Sequence, residues 1–239
     1  MRLKTELRFL RLHALITTSA IIALVTTGFA GQSNARFDTI DVERINVIEK
    51  NGQVRLVISN KARSPAPMER GQPFGYQPGN RAGLIFYNEE GTENGGLIYT
   101  GQRDSAGNYQ AVGSLTFDQY EQDQTIALQY IDQNGRRRSG LAISDYPSGI
   151  TSMQYSRRYQ RAEELKDSAA KADSMKILDQ LGGRQRLYAG RARNGASLVS
   201  LSDPDGKVRL RLSVDTVGAA RIEFLNKGGD VIKTISENR

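Results

Sequence analysis

The chain has no cysteine, no tryptophan and a single histidine, His13, near its N-terminus. Without cysteine there is no disulfide framework, no thiolate metal site and no cysteine nucleophile. The absence of imidazole beyond residue 13 removes Ser-His-Asp triads, histidine general bases and nearly every zinc or iron site. The sequence therefore predicts no metal and no cofactor, and any catalysis would depend on carboxylates, lysine, tyrosine or serine.

Positive charge is in only small excess outside the N-terminus. The formal net charge is +7, but residues 1–35 hold four basic residues and one acidic residue. That leaves 29 of the 33 basic and 25 of the 26 acidic residues in the rest of the chain. Such a small surplus favours solubility and is weak evidence for nucleic-acid binding. We expect no nucleic-acid partner.

The N-terminus has the order of an export signal. Residues 1–13 are basic, residues 14–30 are uncharged and mostly apolar, and small-residue sites follow at 28–30 and 33–35. This order predicts that residues 1–35 are a signal peptide or, if uncleaved, a signal anchor that contacts the membrane through residues 14–30. The protein would then be exported, and either periplasmic or anchored to the outer side of the cytoplasmic membrane.

One turn pattern recurs along the chain: an acidic or amide residue, two variable residues and a glycine, between apolar runs. The pattern favours a turn because an Asp or Asn side chain bonds the backbone two residues on, and glycine accepts a positive φ. Two copies are nearly identical, EKNGQVRLVIS at residues 49–59 and DPDGKVRLRLS at residues 203–213. The predicted structural turn glycines are Gly52, Gly91, Gly135, Gly206 and Gly229.

These turns predict a mainly β fold: an antiparallel hairpin-rich sheet, sandwich or barrel, with an N-terminal apolar helix. Apolar residues at spacings of three and four over residues 156–181 predict one inserted amphipathic helix, ended by Gly182 and Gly183. Residues 61–80 hold four of the six prolines and predict a surface loop without a packed element. The expected organisation is β-hairpins over 36–155, a helical insertion at 156–183, and 184–239 completing the same domain.

Several stretches resemble an uncharacterised family of exported or membrane-anchored bacterial β-rich proteins. The matching segments are RINV at 44–47, RLVISN at 55–60, GLIFYNEEGTENGGLIYTG at 83–101, SLTFDQYEQDQ at 114–124, and the hairpin around 203–206 and 223–225. The middle segments are specific, since a turn alone does not require GTENGG or FDQYEQD. The family has no established activity, so the resemblance implies export and a β-rich fold but no catalytic residue.

Two adjacent hairpins carry more polar residues than a turn needs. Glu93 lies close in sequence to two further glycines, and Asp118 and Asp123 flank an acidic bend. Because sequential strands are usually neighbours, these carboxylates can meet and bind a polyhydroxylated or cationic ligand. A solvated bend and a β-bulge are the plainer interpretations. The candidate binding surface is Glu93, Asn94, Gly95, Gly96, Asp118, Glu121 and Asp123.

Two arginine clusters are weaker candidates. One lies at residues 136–138, and the other comprises Arg157, Arg158 and Arg161. The second cluster could bind phosphate or anionic lipid, or could simply be a solvated helix start, where arginine opposes the helix dipole. Its role is left open.

The leading functional hypothesis is an exported, non-catalytic binding or envelope-structural β module, with an envelope protein or a glycan as the partner. The alternative is a carboxylate-dependent glycan hydrolase or glycan-binding protein that uses Glu93, Asp118 and Asp123. The absence of tryptophan counts against the alternative, because tryptophan is a common sugar platform. A single cleft that holds these carboxylates would favour it.

Export is directly testable. We expect a C-terminally tagged chain to fractionate with the periplasm or the membranes of a bacterial host, because residues 1–35 have the order of an export signal. Fractionation and immunoblotting measure this. A full-length product that stays in the soluble cytoplasmic fraction would contradict it.

Overall fold

The computed structural model describes residues 2–28, 36–75 and 80–236. The chain divides into two compact units, Met1–Asp41 and Val42–Arg239. The first unit contains α1 (Arg2–Gly28). Its segment Thr5–Leu24, with a mean hydropathy of 1.5 and no buried residues, is long and apolar enough to cross a membrane by length and composition. The predicted cleavage sites fall at residues 28–35, of which 29–35 lie outside the described residues.

The second unit is built on one antiparallel sheet of twelve strands, whose spatial order follows the chain order apart from one excursion. The strands are β1 (Arg44–Ile48), β2 (Val54–Ser59), β5 (Ala82–Tyr87), β6 (Glu93–Arg103), β7 (Tyr109–Asp118), β8 (Gln124–Gln133), β9 (Arg136–Asp145), β10 (Arg184–Arg191), β11 (Ser197–Ser202), β12 (Val208–Val214), β13 (Ala220–Leu225) and β14 (Val231–Ser236). Within the described residues, β1 and β14 do not pair with each other, so the sheet is open. The mainly β, hairpin-rich prediction is confirmed, and an open sheet replaces the barrel option.

The segment between β2 and β5, which we call the excursion, was predicted to be a loop without a packed element, and that prediction is wrong. It contains a two-stranded sheet, β3 (Met68–Glu69) and β4 (Gln72–Pro73), and buries Ser64 and Glu69. The segment is also held by contacts outside this short ladder, since the backbone N of Arg70 donates to the Thr92 hydroxyl at 2.9 Å and that of Gly71 donates to the Gly91 carbonyl at 3.1 Å. Residues 76–79 of the predicted loop lie outside the described residues.

The helical insertion differs from its prediction, because it contains two helices, α2 (Ser152–Glu164) and α3 (Ser168–Leu181). Leu165 is extended and ends α2, and the Asp167 side chain accepts a hydrogen bond from the Ala170 backbone N at 2.8 Å and begins α3. Apolar periodicity runs across this break, so the pattern alone does not reveal it. Gly182 ends α3 as predicted, and β9 and β10 pair with each other across the insertion.

The near-identical repeats make the same contacts. Arg55 and Arg209 occupy equivalent positions in the two copies and each donates from Nε to a backbone carbonyl at the end of the neighbouring strand. The acceptors are Tyr87 at 3.0 Å and Leu225 at 2.9 Å. Each arginine also donates from Nη1 to the acidic residue that begins its own turn, at 3.2 and 3.5 Å. The repeated sequence therefore encodes the same arginine hydrogen bonds between a turn and the next strand, and we call each set an arginine lock.

The two faces of the sheet differ in chemistry. Cross-strand partners share a face, and one row of partners crosses all twelve strands with an aliphatic residue in each. The row is Ile45, Ile58, Leu84, Leu97, Leu115, Leu128, Leu141, Ala189, Val199, Leu212, Ile222 and Ile235. We call the side that carries it the apolar face. Buried residues of the opposite face include Val57, Thr116, Ala127, Tyr188 and Ser200.

The turn glycines all adopt positive φ, between 75° at Gly91 and 92° at Gly229. Substituting alanine at Gly52 (φ 86°) or Gly206 (φ 77°) should destabilise the fold by about 1 kcal/mol, because the left-handed backbone is strained for any residue with a Cβ. Denaturant midpoints of the full-length chain measure this.

Gly113 is the matched control. It lies inside β7, its φ is not positive, and a Cβ there would meet nothing within 4 Å. Gly113→Ala should leave the midpoint unchanged or raise it. Equal losses at all three positions would contradict a specific role for the turn conformation.

Candidate functional site

Two β-bulges place the carboxylates Glu93 and Asp118 beside each other in space. The β5–β6 register shifts next to Glu93 and the β7–β8 register shifts next to Asp118, with Asn94 and Thr125 as the extra residues. A bulge bends its strand and redirects the side chains around it. Because β6 and β7 are antiparallel neighbours in the sheet, Glu93 at the start of β6 and Asp118 at the end of β7 lie next to each other.

The bend after β7 brings a third carboxylate, Asp123, to the same strand ends as Glu93 and Asp118. The Gln119 backbone N donates to the Asp123 carbonyl at 3.0 Å, which closes the bend. The Gln119 side chain forms two hydrogen bonds of 3.2 Å with the backbone of Tyr146, and Gln122 donates to the Pro147 carbonyl at 3.3 Å. The two amides therefore fasten the segment after β9 to the bend.

The opposite wall comes from the short β3–β4 sheet and the start of α2. The buried carboxylate of Glu69 accepts hydrogen bonds from the Thr151 hydroxyl at 2.9 Å and the Met153 backbone N at 3.0 Å. The Ser152 backbone N donates to the Glu121 carbonyl at 2.9 Å. The helix start is thus tied to both the excursion and the acidic bend, so the walls are formed before any ligand binds.

These elements enclose a cavity of about 430 Å³. Glu93, Asp118, Glu121 and Asp123 all line it, and Glu121 is held in an ion pair with Arg70. The cavity also presents hydroxyl, amide and guanidinium groups from several elements. They belong to Arg81, Thr92, Gln124, Tyr146, Ser152, Tyr155 and Ser156. Four of the seven candidate binding residues therefore meet in one cavity, which we call the carboxylate pocket.

The other three candidates are placed differently. Asn94 is exposed and lies on the apolar face, beside Phe86 and Phe117. Gly95 and Gly96 are buried in β6 instead of forming an open loop. A Cβ on Gly95 would lie 2.2 Å from the Thr116 carbonyl oxygen, and one on Gly96 would lie 2.5 Å from the Leu84 carbonyl oxygen. The surplus glycines allow close strand contact rather than a ligand's approach to the backbone.

Burial raises the pKa of Glu93 to about 7; Arg81 opposes this rise and the negative charge of Asp123 adds to it. Burial likewise raises the pKa of Asp118 to about 7, with further contributions from Glu93 and Asp123. The pKa of Tyr146 is also raised, first by burial and then by Asp123 and Asp118. The pocket therefore holds carboxylic acids that are partly protonated near neutral pH.

A second observation singles out Asp118: its Oδ1 atom is buried and has no hydrogen-bond partner among the described residues. A buried carboxyl oxygen without a hydrogen-bond partner costs free energy unless a ligand or a water molecule forms a hydrogen bond with it. A hydroxyl or another hydrogen-bonding group of a ligand would fit this oxygen.

Sequence reasoning missed Tyr146 and Arg81, which no motif marks. One signal is present at Gly183, since a helix end needs only one glycine and Gly182 already supplies it. A Cβ there would lie 2.6 Å from the Tyr146 ring, so this second glycine makes room for the tyrosine. A glycine beyond what a cap needs could have indicated such a close approach.

The arginine clusters lie outside the carboxylate pocket. Arg137 pairs with Asp132 at 2.8 Å, and Arg138 lies over the Tyr188 ring at 4.5 Å. The second cluster falls in the interior and last turn of α2, since the helix begins at Ser152. The predicted conflict with the helix dipole therefore does not arise at its first turn.

Comparison of the chain with protein-family models, with curated proteins and with solved structures gives no match.

The raised pKa values predict how stability depends on pH. Glu93 and Asp118 have folded pKa values of about 7, above their ordinary values of 4.5 and 3.8. At these two sites the folded state therefore binds protons more tightly than the unfolded state, so their contribution to stability is fully present below about pH 4 and is lost as the pH rises through about 7. We expect the free energy of unfolding to drop by about 2 kcal/mol or more between about pH 5 and 8.

The double variant Glu93→Gln, Asp118→Asn should flatten this dependence and be the more stable protein at about pH 8. Glu164→Gln, at an exposed carboxylate of α2, is the control and should keep the wild-type slope. Urea titrations at a series of pH values measure the effect. A slope that the double variant leaves unchanged would show that these carboxyls are not buried as described.

Proposed function

We propose that the chain is an exported, non-catalytic binding module whose carboxylate pocket takes a glycan-type ligand. The observation that carries the proposal is the convergence of Glu93, Asp118 and Asp123 in one preformed cavity that includes an unpartnered buried oxygen. The cavity volume falls within the ordinary range for small-molecule sites, about 300–1,000 Å³.

The chemistry of the lining favours a polyhydroxylated ligand. A protonated carboxyl donates one hydrogen bond and accepts others, whereas an ionised carboxylate only accepts. Glu93 and Asp118, with pKa values of about 7, can present either form to a sugar hydroxyl. Ser152, Ser156 and Tyr155 add further hydroxyl groups to the same cavity. Hydroxyl groups that both donate and accept complement this mixture.

The proposed setting is the cell envelope. α1 contains a segment that is apolar and long enough to span a membrane, which agrees with a signal anchor. The basic, apolar and small-residue order of residues 1–35 supports the same setting. An envelope glycan would be within reach of a module held on the outer side of the cytoplasmic membrane.

Glycan hydrolysis is the second candidate function. It is favoured by one observation: carboxyls with raised pKa values share a cavity with a further carboxylate, Asp123. A glycosidase needs a protonated acid and an ionised partner across the scissile bond. In this mechanism Glu93 or Asp118 would be the acid, and Asp123 the base or nucleophile.

Binding is tested by titrating the full-length chain in lipid nanodiscs with neutral, N-acetylated and amino oligosaccharides, using calorimetry. We expect at least one class to bind. The triple variant Glu93→Gln, Asp118→Asn, Asp123→Asn should weaken that binding about tenfold or more, since it removes charge-assisted hydrogen bonds. Glu164→Gln should retain wild-type affinity.

The same samples separate the two functions. New reducing ends that accumulate with the wild type and not with the triple variant would indicate hydrolysis. Binding without chain cleavage would support the non-catalytic module. If no oligosaccharide binds, or if the triple variant binds as well as the wild type, the proposed ligand class is wrong.

A further inference from the structure

The apolar face is uncovered over most of its area. Leu128 is 55% exposed, Leu212 40% and Ile235 48%, although all three lie inside strands. A second row beside the first is also apolar in ten of its twelve positions. That row is Val47, Leu56, Phe86, Gly95, Phe117, Ile126, Ile143, Leu187, Leu201, Leu210, Phe224 and Lys233. A contiguous apolar surface of this extent marks an interaction site.

The apolar face is also concave. A cavity of about 1370 Å³ runs along it from Leu97 in β6 to Ile235 in β14, and every residue that lines it belongs to the sheet or its immediate strand ends. This space is an open trough along the face and not an enclosed cavity. Two copies of a concave face would meet at their rims and leave a void between them, which opposes a symmetric dimer through this face.

The chemistry of the cavity favours an amphiphilic occupant. Its lining on this face combines the aliphatic row with a neighbouring row that carries polar side chains. Those side chains are Tyr99, Tyr130, Ser139, Arg191 and Ser197. Acyl chains need no hydrogen bonds and fit the aliphatic row, while a polar headgroup can hydrogen-bond to the row beside it.

The apolar face ends in a group of polar side chains around Arg103, Arg137 and Arg191, which we call the polar fringe. Side chains of these kinds are found at lipid headgroups. Strand alternation places Arg103, Arg137 and Arg191 on this face, beyond the aliphatic rows. Within the strands of this face the three arginines outnumber Asp132, which pairs with Arg137, and Asp104 and Asp215 lie in the adjoining turns. Tyr99 and Tyr130 stand between the arginines and the aliphatic rows. Tyrosine and arginine at an apolar boundary suit an anionic headgroup.

We infer that the concave apolar face holds the acyl chains of an anionic lipid, with the headgroup at the Arg103, Arg137 and Arg191 end. The site is separate from the carboxylate pocket and does not depend on its ligand. The membrane that α1 is long enough to span is a source of such lipids.

Site-specific photocrosslinking in cells tests the inference on the full-length chain. Benzoylphenylalanine replaces Leu128 or Ile235 on the apolar face, or Thr234 as the matched control. Thr234 is the exposed neighbour of Ile235 and points to the opposite face. After labelling with radioactive phosphate and irradiation, we expect a phospholipase-sensitive lipid adduct at Leu128 and Ile235, severalfold above Thr234.

The headgroup position is tested by Arg103→Gln and Arg191→Gln in the Leu128 photocrosslinking chain. Each should lower the yield of anionic-lipid adduct about fivefold, while Lys176→Gln, at an exposed position of α3, should not. Any other outcome overturns the inference. Such outcomes are a dimer of this chain, an adduct with another protein, an adduct with the chain's own N-terminal segment, or no adduct above the Thr234 background.

Discussion

The antiparallel hydrogen-bond ladder that continues from β1 to β14 is the interaction on which the second unit depends. It satisfies the backbone of twelve strands and fixes their register, and register decides which side chains share a face. A slip of one residue in any strand would remove an aliphatic side chain from the row that crosses the sheet. The turn glycines and the Arg55 and Arg209 locks act at strand ends, where that register is set.

The carboxylate pocket lies at two of the ladder's register shifts, in β6 beside Glu93 and in β8 opposite Asp118. These two strands flank β7, and the segment between β2 and β5 covers the same strand ends. Burial then raises both pKa values, and a bound hydrogen-bond donor would stabilise the ionised form of either carboxyl. The irregular strand ends thus create the buried acidic environment of the carboxylate pocket.

The sheet separates two surfaces. Its opposite face buries small and polar residues such as Thr116 and Ser200, while large aliphatic residues such as Leu128 remain accessible on the apolar face. Folding alone would favour the reverse arrangement, since burial of aliphatic side chains is the main stabilising contribution. An arrangement that leaves them accessible indicates that the apolar face acts on something outside the sheet.

The sequence by itself determined the hairpins, because a turn needs only a few adjacent residues such as Asp203 and Gly206. It also determined the strand alternation and the apolar N-terminal helix. Proximity of Glu93, Asp118 and Asp123 was predictable because sequential strands are usually neighbours. Tertiary structure alone decided that the helical insertion breaks at Leu165, that Tyr146 faces the carboxylates, and that the apolar face is uncovered. Those features depend on long-range packing, which no local pattern of residues specifies.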